Sequence, residues 1–142
     1  MKNVGCIAEF ARKRTADLLS AYFSCVENSD HIRVPEIFQE VVDSPAPHFY
    51  ISASRATIVI ANIERGDRLE YMRPTKREMF FEIYRRYRAL RSRYPLLPMS
   101  HLVRRVVSQP APKFYLSASS ARIIILKERK KWFLERSRKR RD

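Results

Sequence analysis

One segment of this chain occurs twice, and this repetition constrains the fold more than any other feature. Residues 41–56 (VVDSPAPHFYISASRA) return 65 positions later as residues 106–121 (VVSQPAPKFYLSASSA). The same offset pairs apolar positions outside the segment, such as Leu18 with Ile83 and Tyr22 with Tyr87. The repeat therefore predicts two folding units: copy one, residues 1–72, and copy two, residues 73–126. A basic extension, residues 127–142, follows them.

Each copy is predicted to form three helices and no sheet. Only 2 Gly occur in 142 residues, which disfavours the Gly-dependent turns of sheet-rich folds. In copy two, apolar residues recur at helical spacing after a capping box at Thr75, and Ser100 is the predicted cap of the second helix. Copy one matches with a first helix over residues 7–26 and a second that opens at Pro35.

Both second helices end at a Pro-Ala-Pro sequence, because proline cannot continue a helix. Ser52 and Ser117 then stand where a side-chain oxygen would cap a third helix. The β-branched runs at 57–60 and 123–126 also suit a strand. Helix is favoured, since Gly66 suits a helix end and the charged run 127–136 continues the second copy. The aromatic pairs after each Pro-Ala-Pro are predicted core residues, with base stacking as the alternative.

The predicted fold is all-α: a tandem repeat of two three-helix, helix-turn-helix-like units packed as one compact domain. A short second helix, a turn and a Ser-capped third helix resemble the helix-turn-helix of DNA-binding domains, with a longer turn. The chain also resembles small two-copy proteins of gut Bacteroidales and their phages that share the signature Pro-Ala-Pro-x-Phe-Tyr-x-Ser. That resemblance covers most of the chain and implies no activity.

Charge separates the two copies. Residues 1–72 carry eight Lys/Arg and ten Asp/Glu, whereas residues 73–142 carry 21 and five, within a total net charge of +14. Such an excess of one sign repels itself unless a polyanion neutralises it, and nucleic acid is the natural polyanion. Arginine outnumbers lysine in the basic half, which suits bidentate phosphate and guanine contacts. A solvated basic face or an anionic membrane surface is the alternative.

The sequence therefore predicts a nucleic-acid-binding protein, with duplex DNA favoured over RNA, acting through copy two and the tail. The side chains predicted to contact nucleic acid are Arg104, Arg105, Lys113, Ser119, Ser120, Arg122, Lys127, Arg129, Lys130, Lys131, Arg136, Arg138, Lys139, Arg140 and Arg141. Copy one offers Ser54 and Arg55 at the matching helix start, beside Ser52, Thr57 and His48. The arginines of the first helix of copy two point in several directions, so some of them must be solvated.

Other function classes are disfavoured. No His, Cys, Asp or Glu recurs in the repeated segment, and the spacing of the three histidines matches no metal or catalytic motif, so neither an enzyme nor a cofactor is expected. Cys6 and Cys25 are expected to be free thiols, with Cys25 in the core. No apolar run reaches membrane-spanning length. The expected location is the cytoplasm, on the nucleoid, or inside a virion.

The alternative function is that of an assembly protein of a virion or nucleoid. In that case the repeats would bind protein partners, or a second copy of the chain through copy one, and the basic half would meet a packaged genome. Trp132 and its apolar neighbours, which interrupt the basic run, are expected to dock on the protein core or on another chain.

Overall fold

The computed structural model describes residues 7–28 and 34–141, and these residues form six helices. The helices are α1 (Ile7–Glu27), α2 (Val34–Val42) and α3 (Ala53–Glu64) from copy one, and α4 (Pro74–Arg93), α5 (Met99–Val107) and α6 (Ala118–Arg141) from copy two. The described residues contain no strand. The all-helical prediction is confirmed, including the β-branched segments 57–60 and 123–126, which lie within α3 and α6.

The predicted starts of both third helices are confirmed. Ser52 Oγ accepts a hydrogen bond from the backbone N–H of Arg55 at 3.1 Å, and Ser117 Oγ accepts one from that of Ser120 at 3.1 Å. These bonds satisfy donors that the first turn of a helix leaves free. The end of α3 is also as predicted, because Gly66 follows it with φ +101°, a backbone conformation that costs glycine little.

Two other predicted helix starts are wrong. The α4 helix begins at Pro74 with Arg73 at its N-cap and no side-chain cap, so the capping box at Thr75 does not form. Proline takes the first helical position because its missing N–H would have no partner there. The α5 helix likewise begins after Pro98, which places Ser100 within the first turn rather than at the cap.

The two copies exchange their third helices. The α3 helix packs against α4 and α5, while α6 packs against α1 and α2. In the described part of the chain, neither third helix packs against the first two helices of its own copy. We therefore distinguish helix group 1 (α1, α2 and α6) from helix group 2 (α3, α4 and α5). The repeat seen in the sequence and the three helices that pack together do not coincide.

The exchange occurs where the two Pro-Ala-Pro segments cross. Ala46 and Ala111 form an antiparallel bridge in which each backbone N–H donates to the other residue's carbonyl at 2.9 Å. Proline has no N–H, so the alanine is the only residue of each tripeptide that can donate. Both alanines are only 2% exposed, so their small side chains leave the two backbones room to approach. The Pro-Ala-Pro signature therefore joins the two segments at a single point, the bridge between the two alanines.

The residues that follow the crossing make equivalent contacts in the two copies. A phenylalanine precedes each third helix, and its backbone N–H donates to a carbonyl at the end of the other copy's second helix. The bonds are Phe49 N to Val107 O at 3.2 Å and Phe114 N to Val42 O at 2.9 Å. The rings stack in equivalent pairs, Phe49 on Tyr115 and Tyr50 on Phe114, with centroids 6.0 Å apart in each pair. Both phenylalanines are buried, which confirms them as core residues.

The core uses the apolar positions that the repeat retains. Leu18 and its equivalent Ile83 are completely buried, and so are Ile60 and Ile125 on the exchanged helices. Cys25 is buried at 8% exposure and is a free thiol, as expected. The prediction for Cys6 concerns a residue outside the described range. The apolar residues that both copies retain therefore form the buried core of both helix groups.

Candidate nucleic-acid interface

Arginine side chains project from the last turn of α5. Arg104 and Arg105 are both exposed, and the Arg105 guanidinium lies over the ring of Tyr94 at 5.4 Å from its centroid. Arg93 approaches the same ring at 5.7 Å. A guanidinium stacked on an aromatic face keeps its N–H donors at its edge, where they can meet phosphate oxygens. Arg93 and Tyr94 were not among the predicted contact residues, because only the fold brings Arg105 to them.

The start of α3 lies near the end of α5, the helix that carries those arginines. The Phe49 N to Val107 O bond fixes the chain at the end of α5, and Ser52 follows three residues later, at most about 10 Å along an extended chain. Ser54, Arg55 and Ile58 are exposed on the helix that starts there, with Ile58 56% exposed. We call this composite surface the α5–α3 surface: Arg104, Arg105, Ser54, Arg55 and Ile58.

The equivalent surface of helix group 1 has different chemistry. The Phe114 N to Val42 O bond places the start of α6 at the end of α2. There the positions equivalent to Arg104 and Arg105 are Gln39 and Glu40, both exposed. We call this the α2–α6 surface: Gln39, Glu40, Ser119, Arg122 and Ile123.

The α2–α6 surface includes the carboxylate of Glu40, and a second acidic residue, Asp43, follows directly after α2. Gln39 Nε2 donates to Asp43 Oδ2 at 3.0 Å, and Asp43 and Glu40 are both exposed at the end of α2. The α5 arginines and the α6 residues Ser119, Ser120 and Arg122 were predicted to act together. The structure divides them between the two helix groups.

Helix α6 carries most of the predicted cations. Its exposed basic side chains are Arg122, Lys127, Arg129, Lys130, Lys131, Arg136, Arg138 and Lys139. The helix continues through Arg141, so the charged run is helical, while the side chains of Arg140 and Arg141 lie outside the description. Lys131 Nζ approaches Glu128 Oε1 at 3.5 Å, an exposed pair that neutralises little.

Trp132, one of the apolar residues that interrupt the basic run, packs against α1, as expected. The ring centroid of Trp132 lies 6.0 Å from that of Phe23, and the Arg136 guanidinium lies 4.7 Å from the Trp132 centroid. Phe133 and Leu134 remain 49% and 53% exposed. Trp132 therefore ties α6 to α1 within helix group 1. Beyond Trp132, α6 exposes cations together with the side chains of Phe133 and Leu134.

Several basic residues of copy two make contacts within the chain. Lys113 is one of the predicted contact residues, and its Nζ pairs with Glu78 Oε1 at 2.5 Å. Arg77 Nε donates to the Arg68 carbonyl at 2.8 Å, and Arg91 Nη1 donates to the Leu97 carbonyl at 2.6 Å. These guanidinium donors therefore have acceptors within the chain. The expectation that not every α4 arginine serves one interface is consistent with these contacts.

Arg86 is the most engaged of these arginines. Its Nε lies 2.7 Å from Glu82 Oε2, its Nη1 donates to the Pro110 carbonyl at 2.8 Å, and its guanidinium stacks over Phe49 at 5.1 Å. Hydrogen bonds from Arg85, and secondarily from Arg86, lower the pKa of the Glu82 carboxyl. Arg86 thus fastens α4 to both crossing segments.

A different polar cluster holds the crossing on the side of α1. Tyr50 Oη donates to Asp17 Oδ2 at 2.6 Å, and burial together with this bond raises the pKa of Tyr50 well above its usual range. Burial lowers the pKa of the neighbouring Arg14, with Tyr50 opposing the shift. The His48 ring centroid lies 4.6 Å from that of Tyr50, with the two rings tilted by 55°. These polar side chains are half-buried, and the bond from Tyr50 to Asp17 joins α1 to the crossing.

The exchange of third helices also redistributes charge. The helices of copy one carry four cationic and six anionic residues, and those of copy two carry 19 and four. Grouped by packing, helix group 1 carries 13 cations and seven anions, and helix group 2 carries ten and three. A net charge of −2 against +15 along the sequence thereby becomes +6 against +7 in space. Both groups are basic.

The described residues offer little for other chemistry. They contain no set of three or more His, Cys, Asp or Glu side chains placed to hold a metal ion. None of their helices combines the length and the apolar character that crossing a bilayer requires. Comparisons with protein-family models, curated proteins and solved structures found no match to this chain.

Proposed function

We propose that this protein binds nucleic acid, and duplex DNA in particular, through its exposed cations. The observation that carries the proposal is that both helix groups are net positive, at +6 and +7, although half of the sequence is near neutral. Contacts to phosphates provide most of the affinity of such proteins and release bound counterions. The α5–α3 surface and the cations of α6 are the two regions that would supply these contacts.

The arrangement of helices supports duplex DNA over a single strand. In each group a short second helix is followed in space by a Ser-capped third helix, which is the order of a helix-turn-helix. The phenylalanines that could have stacked on unpaired bases are buried. The binding surface would then combine elements of both copies, since α3 belongs to copy one and α5 to copy two. In a cell such a protein would work on the nucleoid or with a packaged genome.

The test is the salt dependence of binding to duplex DNA, measured by fluorescence anisotropy with the full chain. If six to eight phosphates are neutralised, log affinity should fall with log salt at a slope of about −5 to −7. Changing Arg138 and Lys139 to Ala should reduce the magnitude of that slope by about two, because each removes one phosphate contact. Absence of binding at low salt, or binding that does not respond to salt, would refute the proposal.

An assembly role is the second candidate, and one observation favours it. The outward side of α6 exposes apolar side chains, with Ile123 69%, Leu126 40%, Phe133 49% and Leu134 53% exposed. A contiguous exposed apolar surface is typical of protein–protein contacts. Sedimentation of the full chain distinguishes the two, since an assembly protein would form larger species that a Leu134→Asp substitution dissolves, without DNA being present.

A further inference from the structure

The two third helices expose the same kind of face. Ile58 on α3 and Ile123 on α6 are equivalent positions, and both are more than half exposed. An exposed β-branched residue adds nothing to helix stability, because its χ1 freedom is restricted in a helix. Its presence at the same place in both copies is consistent with a contact that the chain makes with something else.

The surroundings of these two faces decide which of them DNA can approach. Helix α3 packs against α5, whose last turn exposes Arg104 and Arg105, and α6 packs against α2, whose end exposes Glu40 and Asp43. Phosphates attract the first pair and repel the second, and juxtaposed like charges cost substantial free energy at an interface. Charge complementarity therefore selects the α5–α3 surface.

The polar residues within the two helices differ in the same sense. Arg55 is exposed at the third position of α3, whereas the equivalent residue of α6 is Ser120, whose side chain bonds to Ser117 Oγ at 2.9 Å. Arg122 is exposed later on α6, where α3 has Thr57. Residues in the first turns of a recognition helix are those that reach base edges, and arginine bound bidentately to guanine is the most common specific contact.

An exposed aromatic residue lies in the segment that follows α3. Tyr71 is 69% exposed, and its hydroxyl donates to Asp67 Oδ2 at 3.3 Å. Arg55 lies within electrostatic range of that phenol, where its charge opposes the rise in pKa that desolvation and Asp67 produce.

We infer that α3 is the helix that reads bases in duplex DNA, with Arg55 and Ile58 as its specificity-determining residues and the α5 arginines as its phosphate anchors. The inference rests on the proposed DNA binding. It assigns sequence recognition to a helix encoded in the near-neutral copy, because the exchange seats that helix on the basic platform of the other copy. Arg55 would pair with guanine, and Ile58 would contact a thymine methyl group.

The experiment selects a preferred duplex from a random library with the full chain and compares its affinity with that of a scrambled duplex. Arg55→Ala should lower affinity for the preferred duplex about 5- to 150-fold and for the scrambled duplex only slightly, as loss of a base contact does. Arg55→Lys should restore binding to the scrambled duplex and not the preference. Arg55 is exposed, so neither substitution should disturb folding, which circular dichroism verifies.

Arg122→Ala is the matched control, since it removes one exposed arginine from the first turns of α6. It should weaken both duplexes equally. A second reporter is Ile58→Ala, which should abolish a thymine preference at one position of the selected duplex, while Ile123→Ala should not.

The outcomes separate this inference from the proposal beneath it. Loss of preference in Arg122→Ala, with Arg55→Ala unaffected, would make α6 the recognition helix and overturn the inference. Salt-dependent binding of the wild-type chain without any preferred duplex would also overturn it, leaving DNA binding intact. Only a wild-type chain that fails to bind duplex DNA at low salt would remove both.

Discussion

Helix groups 1 and 2 share one backbone plan but hold the crossing segments in different ways. Group 2 uses the Arg86 guanidinium, which contacts Glu82, the Pro110 carbonyl and the Phe49 ring. Group 1 has Ala21 at the position equivalent to Arg86, and the crossing is held there by the bond from Tyr50 to Asp17. The repeat has kept the backbone bridge and the buried rings, while the polar braces and the exposed surfaces have diverged.

This difference teaches where the constraint of an exchanged fold lies. Ala46, Ala111, Phe49 and Phe114 serve both groups at once, so changing any of them disturbs two packing units. Surface positions such as Arg104 and its equivalent Gln39 serve one group only. They are free to diverge, and their divergence places two exposed arginines at the end of α5 where α2 has Gln39 and Glu40.

The largest effect should come from the rings at the crossing. Phe49→Ala and Phe114→Ala should each lower the free energy of unfolding by about 3–5 kcal/mol, because each leaves a cavity in the core that both groups share. Urea titrations should be followed both by circular dichroism, which reports all helices, and by the fluorescence of Trp132, which reports group 1. Transitions that coincide support a shared core, whereas separate transitions would mean that the groups fold independently.

A smaller effect should distinguish the brace of group 2 from its exposed neighbour. Arg86→Ala should cost about 1.5–3 kcal/mol, because it removes charge-assisted bonds to Glu82 and a bond to a carbonyl at the crossing. Arg85 also pairs with Glu82, but its side chain is 70% exposed, so Arg85→Ala should leave stability unchanged within error. Equal losses in urea titrations of the two variants would show that Arg86 is no brace.

The helices could be predicted from the sequence because their determinants are local. Apolar spacing, the serines before α3 and α6 and the glycine after α3 all act within a few residues, and each prediction from them is confirmed. The wrong starts of α4 and α5 are also local: a proline next to a candidate cap took the position that the cap would have needed.

The exchange could not be predicted in the same way, because an identical pattern in both copies fits either partner. Helix α3 could pack on α1 and α2 or on α4 and α5, since the apolar positions that it meets are equivalent. One signal was present: Pro-Ala-Pro offers one backbone donor between two residues that have none, which is a pattern suited to a single bridge. Because the exchange was not predicted, the predicted contact residues combine α5 arginines with residues at the start of α6, a helix that packs on α1 and α2.

The caps of the exchanged helices test whether both helices are held equally at their starts. Ser52→Ala and Ser117→Ala should each cost about 1 kcal/mol, and the glycine substitutions only a few tenths, since glycine suits the cap conformation. Ser54→Ala, at an exposed position of the first turn, should be neutral. Thermal unfolding measures all of these variants, and a neutral Ser52→Ala would indicate that packing alone sets the start of α3.

The smallest effect concerns the phenols that stand at equivalent positions of the two groups. Burial, and then the charges of Glu82 and Glu78, raise the pKa of Tyr115 to about 12, whereas tyrosine in an unfolded chain titrates near about 10. The folded protein therefore holds this proton more tightly than the unfolded chain does. The resulting stabilisation is fully present below pH 10 and is lost as the pH rises toward 12.

Tyr115→Phe should thus flatten the fall in the urea midpoint between about pH 10 and pH 12 and change it little at pH 7, since no bond from the Tyr115 hydroxyl is found in the described part of the chain. Tyr50→Phe should differ at pH 7, because it removes the bond to Asp17 and leaves that carboxylate without its donor. If both variants behave alike at pH 7, the Tyr50 bond does not brace group 1, and the contrast between the two crossings rests on Arg86 alone.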